Sequence, residues 1–397
     1  MKTKYIVKLL NYLKILIISG LMFLFPNSNV AKEKVAVSDN KINSVKTWVF
    51  VVGVLEWEDS KNFSSFPKEN RRDVSLVNYF KSIGVSPSQI IYLQDKSATS
   101  NNIQKSMIDL LKQTNPEDFL FLYYCGHGYE QGKETFFASY DASKNIDGWK
   151  VSSIFSTIEE YFNGNKVFLT ADCCYSGALV KNLENYKSKI SYASLTSSDF
   201  NESSTGNWTF SDCLLDALSG EHSIDINNDG QINLEELAAY TKMDMLFGEN
   251  QHAQFVTTGT FSPSLALSNS NKKTDSRIGT YVQVKTSNRN YPARIIAVNS
   301  SQIKVHYIGY DKTDDEWVNA NQIKTVDLTN SSSSKNLTYQ IGEKVLVTWK
   351  GKKYKAVIKK ADGFTYFIHY LNYGDEWDEW VKPNRISPTN SKLDKAQ

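Results

Sequence analysis

Two runs in the middle of the chain constrain its fold more than any other feature. Phe119-Leu-Phe-Leu-Tyr-Tyr-Cys125 and Val167-Phe-Leu-Thr-Ala171 lack the strict alternation of a strand with one wet face. Strands of this kind are covered on both sides, as in a mostly parallel sheet between two layers of helices. The flanking sequence agrees. Trp48 to Val54 is another apolar run and Ile90 to Leu93 a short one, while Asp73–Ile83 and Ile103–Leu111 space their apolar residues helically. Further on, strands are expected at Ile190–Leu195 and Gln254–Thr258, and helices at Thr209–Leu218 and Leu234–Phe247. The fold class expected for residues 46–262 is α/β, a mostly parallel sheet flanked by helices.

The chain has 397 residues, too many for one ordinary domain. Lys2, Lys4, Lys8 and Lys14 precede the apolar run Ile15–Phe25, followed by Pro26 and a polar stretch to Ala31. Residues 1–31 are therefore read as a signal peptide, implying export to a secreted or periplasmic location. Asn29 is a poor residue ahead of a cut after Ala31, so a membrane anchor through an uncleaved segment is the alternative. A net charge of +2 gives no bulk field for nucleic acid. Four cysteines, all central, are too few for a disulfide framework in a chain this long. Residues 32–45 and 263–276 read as linkers.

The two buried runs end in chemistry. The first closes on Gly126-His127-Gly128 and the second on Asp172-Cys173-Cys174. Open α/β sheets form their sites beyond the carboxyl ends of the strands, so a His and a Cys reach one edge. An imidazole near a thiol activates it as a nucleophile and shuttles the proton, and glycine backbone can approach an oxyanion. The segment Asp172-Cys-Cys-Tyr-Ser-Gly177 resembles the metacaspase motif Asp-Ser-Cys-His-Ser-Gly, with Tyr175 in place of the family's His. His127 stands 47 residues ahead of Cys174, close to the caspase spacing. The resemblance covers about 46–262 and implies a cysteine endopeptidase with His127 and Cys174 as its dyad. Gly128 and the Cys174 N–H would serve the oxyanion. Cys173 as nucleophile is the alternative, and adjacent strand residues face opposite ways. The resemblance also implies that Asp73 and Asp172 line a pocket for Arg or Lys of a polypeptide substrate. A scaffold with a dead caspase-like domain is the rival reading from another class. Lys181, Lys187 and Lys189, beyond the nucleophile strand, are candidates for self-processing.

Residues 225–236 fit a twelve-residue EF-hand loop. Asp225, Asn227, Asp229, Asn233 and Glu236 offer side-chain oxygens, Gln231 a carbonyl, and Gly230 the turn. Ca2+ is the expected cofactor, structural or regulatory.

The last third repeats at an offset of 63: Tyr291 and Tyr354, His306-Tyr307 and His369-Tyr370, Asp315-Glu-Trp-Val318 and Asp378-Glu-Trp-Val381. Alternating Val/Ile/Tyr runs predict two small all-β, SH3-like domains at 277–327 and 338–388, joined by a Ser-rich linker at 328–337 and followed by a tail at 389–397. The second copy resembles the chromo-barrel or Tudor-knot family, which implies a ligand cage of Tyr354, Tyr370, Tyr373 and Trp377 for a protein or peptide ligand. The first copy offers Tyr291, Tyr307 and Tyr310, but Asp314 replaces the fourth aromatic. Core packing is the competing reading of these aromatics, and for Trp317 and Trp380 it is the preferred one.

Overall fold

The computed structural model describes residues 41–69, 71–286, 289–326, 339–361 and 365–389. The signal-like segment, the Ser-rich linker and the tail beyond Thr389 lie outside the described residues. In chain order the peptidase-like region contains β1 (Thr47–Gly53), α1 (Arg72–Ser82), β2 (Ile90–Gln94), α2 (Ser100–Leu111), β3 (Phe119–Cys125), β4 (Gly128–Gln131), β5 (Glu134–Phe137) and β6 (Trp149–Lys150). It continues with α3 (Val151–Tyr161), β7 (Lys166–Asp172), α4 (Ala178–Leu183), β8 (Ser191–Thr196), α5 (Thr209–Ser219), β9 (Gln231–Asn233), α6 (Leu234–Asp244), β10 (Gln254–Thr257) and β11 (Ala266–Asn269).

The main sheet has the order β10-β8-β7-β3-β1-β2, parallel except for β10 at one edge. Every residue of β1, β3 and β8 is buried. Strand periodicity divides β1 between two cores. Trp48, Phe50 and Val52 pack with residues of α2, α3 and α4, while Val49 and Val51 pack with residues of α1, α5 and α6. The α/β reading of the two apolar runs therefore holds.

Two elements depart from expectation. The stretch read as the linker 263–276 contains β11, which pairs antiparallel with β9. Its Ser and Asn composition conceals the strand, because only Leu265, Ala266 and Leu267 are apolar residues that go inward, beside the buried Ser268. The Lys41 end of the other linker bridges to Ala266. The helix expected to reach Phe247 ends at Asp244 and continues as a π-helical turn over Met245–Glu249.

Each sequence repeat forms a five-stranded antiparallel sheet. The first comprises β12 (Tyr281–Lys285), β13 (Asn290–Val298), β14 (Ile303–Tyr307), β15 (Glu316–Val318) and β16 (Ile323–Thr325). The second comprises β17 (Lys344–Trp349), β18 (Lys352–Ala361), β19 (Tyr366–Tyr370), β20 (Glu379–Val381) and β21 (Ile386–Pro388). Both have the same strand order. Trp317 and Trp380 are in neither core: Trp317 is exposed, and Trp380 leans on the peptidase-like region. No helix among the described residues is long and apolar enough to cross a membrane.

Candidate active site

β3 and β7 run parallel with Cys125 opposite Asp172, so the two motifs leave the sheet side by side. His127, Asp172, Cys173 and Cys174 line one cleft of about 120 Å³, together with Phe66 and residues 204–208. Gly128 is packed against this pairing rather than lining the cleft. A Cβ there would lie 1.9 Å from the Cys174 carbonyl oxygen and 3.2 Å from Cys173 Sγ, so only glycine lets the His segment seat on the Cys segment.

His127 Nε2 is 2.8 Å from the Ser64 carbonyl oxygen. A carbonyl can only accept, so Nε2 carries the proton and Nδ1 keeps its lone pair. Trp57 and Phe66 flank the ring at centroid distances of 4.5 and 4.6 Å. Burial holds His127 below its ordinary pKa, against the opposing Ser64 hydrogen bond. At neutral pH the ring is a neutral base.

The two neighbouring thiols differ. Cys173 is buried in the core, and burial pushes its pKa well up. Cys174 is half-exposed, and its sulfur accepts a hydrogen bond from the Ser204 N–H at 3.1 Å. The thiol in turn donates to the Ser204 carbonyl oxygen at 3.9 Å. The following residue, Tyr175, has φ 60°, a left-handed conformation held by its N–H bond to the Glu202 carbonyl. Among the described contacts the thiol bonds to Ser204 and the imidazole to Ser64.

Asp172 is buried at this cleft and accepts a 2.6 Å hydrogen bond from Ser211 Oγ. Burial pushes its pKa up to about 7. Asp73 does not join it in the cleft. Its carboxylate is paired with Arg71 at 2.7 Å and accepts from Tyr92 Oη at 2.7 Å. Arg71 also bonds Asp95 at 2.6 Å and the Gly53 carbonyl at 2.9 Å. A fully buried carboxylate already matched to a guanidinium is not open to a substrate cation, so the expected Asp73–Asp172 pair is reduced to Asp172.

Ser64, Ser204 and the aromatic segment Trp57–Phe66 were not singled out from sequence. Their contribution is through backbone atoms and packing, which residue identity does not announce. The aromatic residues between β1 and α1 were the one available signal. Of the candidate processing sites, all three exposed, Lys181 lies in α4 with its ammonium 3.6 Å from the Phe200 ring centroid, whereas Lys187 and Lys189 lie outside helices and strands.

The 225–236 loop turns its oxygens inward. Asp225 accepts from the N–H of Asp229 and Gly230, Asn227 from Asp229, and Asp229 from Gln231. Glu236 reaches back to the N–H of Asn227 and Asn233, while Asn233 caps α6. Gly230 takes φ 92°, where an L side chain is strained. The side-chain oxygens at the one, three, five and twelve places are thus each held by backbone N–H groups of the loop, and among the described residues the carboxylates of Asp225, Asp229 and Glu236 are not gathered to metal-ligand spacing.

Around the second copy's pocket, Trp349, Tyr354, Tyr370, Tyr373 and Trp377 meet edge-on. The successive centroid separations are 6.2 Å (Trp349–Tyr354), 5.9 Å (Tyr354–Tyr370), 6.2 Å (Tyr370–Tyr373), 6.3 Å (Tyr373–Trp377) and 6.3 Å (Trp377–Trp349). They line a pocket of about 280 Å³ with Asn201, Asp378 and Glu379. Trp349 was missed from sequence. Its counterpart one repeat earlier is Thr286, and that mismatch was the available signal. Tyr370 is buried in the core and serves both purposes, whereas Tyr373 and Trp377 are exposed.

Residues 78–183 match the family model for the metacaspase peptidase C14 domain, a span that includes His127, Gly128, Asp172 and Cys174. Residues 339–388 match the Tudor-knot model, described as the RNA binding activity-knot of a chromodomain. The chain is 43% identical over 58 residues to the NuA4 complex subunit EAF3 homolog of Dictyostelium discoideum. That match spans 12% of this chain and 15% of that protein's length. The crystal structure of protein GSU0716 from Geobacter sulfurreducens is 14% identical, covering 57% of this chain and 99% of that one at a TM-score of 0.42, a likeness too slight to argue from. The central domain of this chain is caspase-like, of the metacaspase type, and its second C-terminal β domain is a Tudor-knot.

Proposed function

We propose that the chain is a cysteine endopeptidase that cleaves after Arg or Lys, with Cys174 as nucleophile and His127 as base. The observation that carries this is the single cleft holding an accessible thiol, a neutral imidazole with its Nδ1 free, and a buried carboxylate. Cys174 Sγ attacks the substrate carbonyl carbon, and the thiol proton passes to His127. A tetrahedral oxyanion forms, for which the backbone N–H groups of Gly128 and Cys174 are the candidate donors. Collapse expels the amine, which takes the proton from His127 and leaves a thioester. Water, deprotonated by His127, then hydrolyses the thioester and restores the thiol.

Asp172 supplies the specificity. An incoming guanidinium or ammonium draws the buried carboxyl into its charged form and pairs with it. Self-cleavage after Lys187 or Lys189 follows from the same preference, because both are exposed and lie outside helices and strands. The 225–236 loop would hold Ca2+ through Asp225, Asn227, Asp229, the Gln231 carbonyl, Asn233 and Glu236, supplying charge compensation rather than chemistry. The aromatic pocket of the second copy takes an alkylated ammonium by cation–π attraction. That gives the enzyme a tether to a protein or peptide ligand.

A peptide-library cleavage assay, with and without calcium, tests the activity. Cleavage after Arg and Lys is expected, abolished by Cys174→Ala and by His127→Ala and largely retained in Cys173→Ser. An unreactive wild-type chain would leave the caspase-like domain as a scaffold.

A further inference from the structure

The second β domain does more than sit beside the peptidase-like domain. The 199–204 segment is held from both sides. On its outer side, Trp380 Nε1 donates to Asp199 Oδ2 at 2.8 Å, and Asn201 Nδ2 donates to the Asp378 carbonyl oxygen. Trp380 also stacks on His252 at 4.1 Å and 7°. The His252 ring nitrogens are 2.8 Å from Glu202 Oε1 and 2.8 Å from Thr365 Oγ1. On its inner side the same segment touches the nucleophile. The Glu202 carbonyl fixes Tyr175, and the Ser204 N–H donates to Cys174 Sγ. Asn201 itself forms part of the wall of the aromatic pocket. Only two residues, Glu202 and Ser203, lie between that wall and the donor on the sulfur.

We infer that this segment is a relay, so that occupation of the aromatic pocket by a quaternary ammonium raises the reactivity of Cys174. The inference rests on the ammonium reading of the pocket given above. An occupant packed against Asn201 restricts the segment and favours the arrangement in which Ser204 donates to sulfur. That arrangement fixes the sulfur in the cleft it shares with His127, where an electrophile reaches it. By linkage, a ligand favouring that arrangement raises its population. The ammonium could come from a trimethylated lysine side chain or from a choline headgroup.

The test uses the full chain and three probes: N-acetyl-trimethyllysine amide, its uncharged tert-butyl carbon isostere, and phosphocholine. Calorimetry reads binding, and the iodoacetamide alkylation rate of Cys174, followed by mass spectrometry, reads reactivity without needing peptidase turnover. Trimethyllysine amide is expected to bind and to speed alkylation about fivefold or more, the lower end of ordinary coupling. The isostere should do neither, and Asn201→Ala should bind the probe with little acceleration. Binding with an unchanged or slower alkylation rate would overturn the relay while leaving the pocket reading intact. Absence of binding by either ammonium at millimolar concentration would overturn the pocket reading and the relay with it. Acceleration by phosphocholine alone would keep the relay and assign the ammonium to choline.

Discussion

The two C-terminal domains share a strand order, a His–Asp pair and a Tyr–Glu pair, yet they meet the central domain in different ways. The shared pairs are His306–Asp315 with His369–Asp378, both at 2.7 Å, and Tyr307–Glu316 with Tyr370–Glu379, both at 2.6 Å. The first copy sends Arg294 into a buried ion pair with Asp244 of α6, where the guanidinium also lies 4.2 Å from the Tyr240 ring centroid. Tyr281 donates to the same Asp244, and Lys312 pairs with Asp216 of α5. At the equivalent places the second copy has Val357, Lys344 and Asp375. It keeps instead a five-ring pocket, which the first copy loses through Thr286 and Asp314. One repeat buttresses the central domain, and the other sets a five-ring pocket beside the 199–204 segment. A shared fold therefore leaves function to a few surface positions.

Removing the buttress should give the largest effect. Arg294→Ala strands the buried Asp244, and such losses run to about 3–5 kcal/mol. Val357→Ala, at the matching register place, should cost no more than about 1.5 kcal/mol. Denaturant unfolding of both full-length variants makes the comparison, and equal small losses would break it.

The ligand side should respond next. Trp377→Ala should weaken trimethyllysine binding about tenfold or more, by loss of one face of the cation–π box. Asp314→Ala in the first copy should leave binding unchanged. An effect of Asp314→Ala as large as that of Trp377→Ala would put the ligand on the wrong copy.

Specificity should depend on neither copy. Asp172 is a neutral acid below about 7 and a carboxylate above it, because burial raises its pKa. KM for an Arg substrate should therefore fall several-fold between pH 6 and 8, while a Leu substrate shows no such fall. The profile should persist in Trp377→Ala and vanish in Asp172→Asn. Its persistence in Asp172→Asn would assign the pH dependence to another group.

Calcium should give a modest stabilisation, on the buttress side. The β9 strand of the 225–236 loop pairs with β11, which leads into the first copy. At ten times its Kd, a cation bound only by the folded chain adds about 1.4 kcal/mol. A rise in melting temperature should accompany calcium and shrink in Asp225→Ala. Calorimetry showing no binding at millimolar calcium would reduce the loop to an Asx-rich turn.

Local pattern made much of this legible. The unbroken runs ending at Cys125 and Ala171 placed two central strands, and their final residues brought His127 and Cys174 to one cleft. Interactions between distant elements were not legible. Arg71 holds Asp73 and Asp95 from different elements at once, and no spacing rule announces such a bridge. Trp380 looked like core because an aromatic in a short strand usually is, but its partners Asp199 and His252 lie in another domain. Ser204 acts through its backbone N–H, which every residue other than proline possesses.

The most direct measurement is labelling of the intact chain with a peptidyl-arginyl chloromethylketone, followed by peptide mapping. One equivalent of label is expected on Cys174 and none on Cys173. Labelling should disappear in Cys174→Ala, and it should be much slower with an aspartyl analogue. Label on Cys173, or equal rates for the arginyl and aspartyl reagents, would contradict the assignment of the nucleophile or of its pocket, respectively.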